Sequence, residues 1–272
     1  MQQYKIDPQN PIKIKKLNAS DLGAWDGEKK ETKKAFKTLQ KELADLQQIL
    51  YAQHKHKLLI VLQAMDTGGK DGTIRAIFEK VNPQGVKVAN FKVPTTLELD
   101  HDYLWRIHQK TPGSGEITIF NRSHYEDVLV VRVHELVNKE VWKKRYDHIN
   151  AFEKMLADEG TTILKFYLHI DREEQKQRFQ ERLEDPKKQW KFNPNDLEER
   201  QKWDLYQEAY QDVLNKTSTA WAPWYAIPAN HNWYRNLCVA SIITDTLRSL
   251  KLKYPNPLPN PDQYINVLNS EE

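Results

Sequence analysis

Residues 57–73 read KLLIVLQAMDTGGKDGT. An apolar run, Leu58-Leu59-Ile60-Val61-Leu62, stops at a tight loop carrying Gly68, Gly69 and Lys70. A helical pattern then opens at Thr73-Ile74-Arg75-Ala76-Ile77-Phe78. Consecutive apolar residues ahead of a glycine turn predict a strand buried on both faces. A strand that turns through glycines into a helix leaves several backbone N–H groups aimed at one point. The helix dipole adds partial positive charge there and Lys70 adds a full one. Such a loop holds phosphate, and the first expectation is a phosphoryl-handling protein.

The match to the P-loop pattern G-x-x-x-x-G-K-[ST] has two departures. Ala64 stands at the first glycine, and Asp71 replaces the hydroxyl residue after Lys70. The hydroxyl that reaches Mg²⁺ is then expected from Thr73. Asp66 lies inside the loop, where phosphates repel a carboxylate unless a divalent cation stands between them. Mg²⁺ uses one or two carboxylates plus phosphate oxygens, so Asp66 is the candidate metal ligand. Gly68, Gly69, Lys70, Asp71, Gly72, Thr73 and Arg75 are the candidate phosphate-binding residues of this turn.

Further out, apolar strands alternate with helical patterns. Strands are predicted at Leu58–Leu62, Val86–Val93, Ile117–Phe120, Thr162–His169 and Trp224–Ile227. Helices are predicted at 29–54, 73–80, 98–110, 125–137, 138–158, 171–184, 195–215 and 232–251. Short, nearly continuous apolar strands between helices predict an α/β fold with a parallel sheet covered on both faces. Ligands of such sheets bind at the carboxyl ends of the strands, where the glycine loop sits. In helix 29–54, Phe36, Leu39, Leu43, Leu46 and Leu50 form one apolar stripe. The stripe suits packing on the domain better than on a second subunit, although a homo-oligomer is expected. Residues 1–28 carry prolines and glycines with little periodicity and are expected to form an extended arm. Residues 29–254 would be the phosphotransferase domain, and 255–272 a proline-rich tail unable to continue the preceding helix.

The 272 residues include 39% apolar and 29% charged side chains, which suits a globular protein with charged helix surfaces. A net charge of +3 is too small to point to a nucleic-acid partner. No apolar run reaches membrane-spanning length, and the single cysteine, Cys238, excludes an internal disulfide. A cytoplasmic protein is expected, with Cys238 a buried thiol.

The predicted strand Ile117–Phe120 runs into Asn121-Arg122-Ser123-His124-Tyr125-Glu126-Asp127. In P-loop proteins a neighbouring strand presents an acidic residue toward Mg²⁺ at this place. Asn121 adds no charge there, while Arg122 offers a planar fork that bridges phosphate oxygens. AMDTGGKDGTI, VNPQGVKVANFKVPT, HDYLWRIHQKTPGSGEITIFNRSHYEDVLVVRVH and WYAIPANHNWYRN together resemble the polyphosphate kinase 2 family over roughly residues 10–252. The resemblance implies a three-layer α/β/α, thymidylate-kinase-like P-loop kinase fold with a helical lid. It also implies Mg²⁺ and phosphoryl transfer between inorganic polyphosphate and a nucleotide. Many members read Asp-Arg-Ser-x-Tyr-Asn where this chain reads Asn121-Arg122-Ser123-His124-Tyr125-Glu126. This form is similar to the family's third class, which phosphorylates AMP and ADP toward ATP. On this reading Asn121, Tyr125 and Glu126 join the nucleotide site, and Asp66 carries more of the metal.

Residues 171–205 are dense in charge, with Arg178 and Arg182 four apart on one helical face. By pattern alone they read as a solvated helix paired to Glu174, Glu181 or Glu184. The resemblance places the family's lid here, so both arginines are expected over the loop. Lys70, Arg75, Lys80, Arg122 and Arg132 are candidates for the polyphosphate path. The predicted catalytic set is Asp66, Lys70, Arg122, Arg178 and Arg182. Two other readings share these features: an ATP-dependent nucleoside monophosphate kinase and a non-catalytic polyanion binder. The missing first glycine, the missing Ser/Thr after Lys70 and the Asn-Arg-Ser motif argue against the first. A binder would show no turnover and no dependence on Asp66.

Overall fold

The apolar run around Ile60 becomes the middle of a sheet because every one of its side chains, on either face, is buried. The computed structural model describes residues 1–270. Its strands are β1 (Lys57–Gln63), β2 (Val86–Asn90), β3 (Ile117–Asn121), β4 (Thr161–His169) and β5 (Trp224–Pro228). They lie in the order β2-β3-β1-β4-β5, and every adjacent pair is parallel. Leu58 of β1 aligns with Ile117 of β3 on one side and Thr162 of β4 on the other. The chain leaves β1 toward the β2 edge and leaves β4 toward the β5 edge. That divergence opens a crevice at the carboxyl ends of the two central strands.

The helices are α1 (Lys29–Gln53), α2 (Lys70–Ile77), α3 (Thr96–Leu99), α4 (Trp105–His108), α5 (Val130–Val133), α6 (Lys139–Asp158), α7 (Arg172–Glu184), α8 (Asn195–Gln201), α9 (Trp203–Thr217), α10 (Asn232–Ser249) and α11 (Pro261–Asn269). α1 and α2 pack with α10, and α5 and α6 with α9, while β4 is buried on both faces between them. The stripe of α1, with Leu43 and Leu50 fully buried, therefore rests on α10. It supplies no argument for a second subunit.

Several predicted boundaries move. The strand predicted to Val93 stops at Asn90, ahead of Pro94, which has no N–H to give a ladder. The helix predicted over 98–110 is two single turns, α3 and α4, separated by the turn at residues 100–104. The one predicted over 125–137 is a 3₁₀ turn, His124–Asp127, and then α5. α2 begins at Lys70, three residues before the apolar pattern announces it. The tail holds a helix as well: Pro261 opens α11 in its first turn, where a missing N–H costs nothing.

Candidate active site

The loop after β1 owes its shape to two glycines. A Cβ on Gly68 would stand 2.4 Å from that of Ala64 and 2.8 Å from the Met65 carbonyl. Gly69 has φ +96°, a conformation natural to glycine, and is the residue before α2. Lys70 opens α2 and reaches back across the loop, donating from Nζ to the Ala64 carbonyl at 3.1 Å. Burial and the nearby Arg122 depress its pKa, against Asp66, Glu126 and Asp71. A dianion arriving in the loop would relieve both effects.

β3 delivers the second motif beside β1, since Leu62 aligns with Asn121. Asn121 donates from Nδ2 to the Asp71 carboxylate at 2.6 Å, tying this strand end to the start of α2. Arg122 turns out of the sheet with φ +62° and donates from Nη2 to Asp66 at 3.2 Å. Glu126 and Asp66 raise the Arg122 pKa against partial burial, so the guanidinium is held cationic. Asp66, Lys70, Arg122 and Glu126 thus share one electrostatic neighbourhood. A cleft of about 320 Å³ opens beside it, lined by Asp66, Arg122, Glu126, Leu129, His134 and Tyr206, among others. That volume suits a small ligand. Two larger clefts, of about 700 and 650 Å³, lie beside β2 and α3 and contain no loop residue. Of the three, the smaller cleft is the one that loop residues line.

The lid arginines separate. Arg178, on α7, pairs through Nε with Glu174 at 2.7 Å. It donates from Nη1 to the Thr67 carbonyl at 3.0 Å and from Nη2 to Ala229 at 2.6 Å. It therefore bridges the loop to the end of β5. Arg182 turns instead to the Lys191 carbonyl at 3.4 Å and to Asp196 at 3.9 Å, within the 171–205 segment. α7 also sends Gln175 Nε2 to the Asp66 carbonyl, at 3.1 Å.

Three further expectations meet a different geometry. Tyr125 is fully buried: its hydroxyl donates to Glu153 at 2.8 Å and accepts from Lys165 at 2.8 Å, with its ring edge-on to Trp224. The 3₁₀ turn, capped by Ser123 Oγ accepting from the Tyr125 amide, points this side chain into the core and leaves Glu126 facing the cleft. Thr73 is buried and donates its hydroxyl to the Gly69 carbonyl at 3.0 Å, so it braces the loop rather than reaching a cation. Arg75 is exposed in the last turn of α2. One cation at the loop was not anticipated. Arg235, on α10, lies against Gly69, inside a stretch whose apolar neighbours read as plain helix core. Its signal was the single Arg in WYRN.

The sequence profile described as Polyphosphate kinase 2 (PPK2) matches residues 26–255. The chain belongs to the polyphosphate kinase 2 family. One member, the AMP/ADP-polyphosphate phosphotransferase of Meiothermus ruber, is 57% identical over 257 residues, covering 94% of this chain and 96% of its own. The ADP-polyphosphate phosphotransferase of Rhodopseudomonas palustris is 43% identical over 258 residues, with 88% and 89% covered. The crystal structure of Polyphosphate Kinase 2 from Arthrobacter aurescens TC1 superposes with a TM-score of 0.94 at 37% identity, covering 98% of this chain and 95% of that one. The polyphosphate kinase 2 fold accounts for the parallel sheet and its flanking helices.

Proposed function

We propose that this chain transfers phosphoryl groups from inorganic polyphosphate to AMP and ADP, forming ATP in the end. The observation that carries the reading is the meeting of Asp66, Lys70 and Arg122 at the carboxyl ends of β1 and β3, in a chain of this family. The names of the M. ruber and R. palustris relatives supply the substrate class. In the transfer, an anionic oxygen of the acceptor's terminal phosphate forms a bond to the end phosphorus of polyphosphate. The P–O bond to the next unit breaks, and the shortened chain leaves as an anion. The attacking oxygen is already ionised, so no general base is needed, and the protein's task is positioning and charge.

Loop N–H groups and Lys70 hold the group in flight. Arg122 faces it from the acceptor cleft, where Leu129, Val130 and Tyr206 offer apolar surface to a nucleoside. The 171–205 segment acts as the lid, with Arg178 the member that reaches the loop. Among the described residues no cluster of three metal-ligating side chains exists. Mg²⁺ needs only one or two carboxylates beside water and phosphate oxygens, so Asp66 with Glu126, which line the same cleft, would hold it. When bound, the cation neutralises phosphate charge. No described helix is long and apolar enough to cross a membrane. We assign the protein to the cytoplasm, as a homo-oligomer. Incubation with AMP or ADP, Mg²⁺ and polyphosphate, without ATP, tests the function: ATP is expected, and its absence overturns the reading.

A further inference from the structure

Gly69 is pressed by two guanidinium groups. A Cβ built on it would lie 2.0 Å from Arg235 Nη1 and 3.5 Å from Arg178 Nη1. Arg235 is only 4% exposed, yet among the described residues no carboxylate lies within ion-pair distance of it. Its side-chain partner is the neutral Asn236 amide oxygen, 3.1 Å from Nε and 2.9 Å from Nη2. The other buried cationic side chains are matched: Lys165 has Glu153 at 2.6 Å, and Arg106 has Glu98 at 3.6 Å. Burial and the adjacent Arg178, opposed by Glu174, push Arg235 down to about 9, so it stays cationic near neutrality against the preference of its surroundings. A buried charge beside a like charge is unfavourable unless an anion completes the arrangement.

Its position says which anion. The acceptor cleft is lined by the Ala64–Asp66 stretch of the loop and by neither Arg178 nor Arg235. The arginines meet the loop further on, at Thr67 and Gly69, and Lys70 Nζ lies back at Ala64. Acceptor and leaving group stand roughly in line on opposite sides of a transferring phosphoryl group. We propose that Arg235, with Arg178, binds a non-transferred phosphate unit of the polyphosphate donor on the leaving-group side of Gly69. This rests on the function proposed above. A nucleoside triphosphate donor carries the same phosphate chemistry, so the test compares both donors.

Arg235→Met keeps bulk without charge, and Arg235→Lys keeps charge without the fork. With Met, the KM for polyphosphate should rise about 10- to 100-fold, the fold-change of one charge-assisted hydrogen bond. The KM for AMP or ADP should hold, and Lys should recover part of the loss. The salt dependence of polyphosphate KM should flatten by about 0.7 in log–log slope, one phosphate contact fewer. Because the arginine has only the neutral Asn236 oxygen and no anion within ion-pair distance, Met should leave the urea midpoint unchanged or raise it. An unchanged polyphosphate KM, a nucleotide KM raised instead, or a lowered midpoint with both constants worsened would each overturn the assignment. A rise in KM for ATP as donor in place of polyphosphate would overturn the choice of donor. Wild-type protein without polyphosphate-dependent turnover would sink the underlying function instead. In that case tripolyphosphate titrated into wild type and Arg235→Met still reads the site: binding weakened by Met supports it, and equal binding refutes it.

Discussion

Replacing Lys70 by Met is the sharpest test of the loop. The ammonium makes one hydrogen bond within the protein, to the Ala64 carbonyl at 3.1 Å. Loss of such a bond from a charged group costs the fold about 1.5–3 kcal/mol, and removing a half-buried charge returns some of it. The fold should therefore survive. The reaction should not. A phosphoryl oxygen held in the loop would stand about 4 Å from Nζ, and one unit charge pair at that separation in an effective dielectric of 20 is worth roughly 4 kcal/mol. That corresponds to about 10³-fold in rate, and with Arg122 and Arg178 still in place about 10²–10³-fold is expected in kcat/KM. The assay is ATP formation from ADP and polyphosphate under initial-rate conditions, with urea melts run on the same preparations. A variant within a factor of a few of wild type, still folded, would show that no phosphate rests on this lysine.

Asp66→Asn removes the loop's own carboxylate and the 3.2 Å pairing to Arg122; turnover should fall at least about 10²-fold and the Mg²⁺ requirement shift upward, so an unchanged Mg²⁺ titration would argue against metal binding there. Lys165→Met takes the ammonium from Glu153 in a fully buried site, leaving it only Tyr125 and His124, and should cost about 3–5 kcal/mol in urea unfolding. Lys165→Met combined with Glu153→Leu should recover most of that, and additive losses would contradict the pairing. Burial, opposed by Arg145 at 2.9 Å and by Arg106, lifts the Asp127 carboxyl to about 6. The folded state then holds this proton more tightly than the unfolded chain. Stability from this group is complete below its unfolded pKa near 4 and declines as pH rises toward 6. Carboxyl NMR should find the titration near 6, and a midpoint below 4 would refute it.

The centre of the sheet was legible because its inner strands are nearly unbroken apolar runs, and Leu58–Leu62 needs no partner to be recognised as buried on both faces. The loop was legible because only glycines tolerate its turn at Gly69. What failed did so for local reasons. Residues 98–110 and 125–137 carry helical periodicity, but the turns at residues 100–104 and Ser123–Asp127 reset the phase and rotate each following side chain. Tyr125 consequently enters the core, where it satisfies Lys165 and Glu153, residues distant in sequence that no pattern connects. Arg182 shares a helical face with Arg178, yet a single turn of rise moves it off the loop and toward Asp196. Arg235 was hidden by its apolar neighbours on α10. Its position against Gly69 depends on where β5 leaves that helix, a tertiary fact.

The first residues of the chain lie outside the region matched by the family profile, yet they are wedged into the molecule. Tyr4, Ile6 and Ile14 are buried, the Ile6 amide donates to the Trp224 carbonyl at 2.8 Å, and Lys5 bridges antiparallel to Tyr225. This short crossing seals the margin of the sheet along β5, where bare amides and carbonyls invite foreign chains to add on. An affinity handle fused directly ahead of Tyr4 should unzip that seal and favour fibrous or amorphous self-association, while the phosphate loop at the opposite strand ends stays chemically intact.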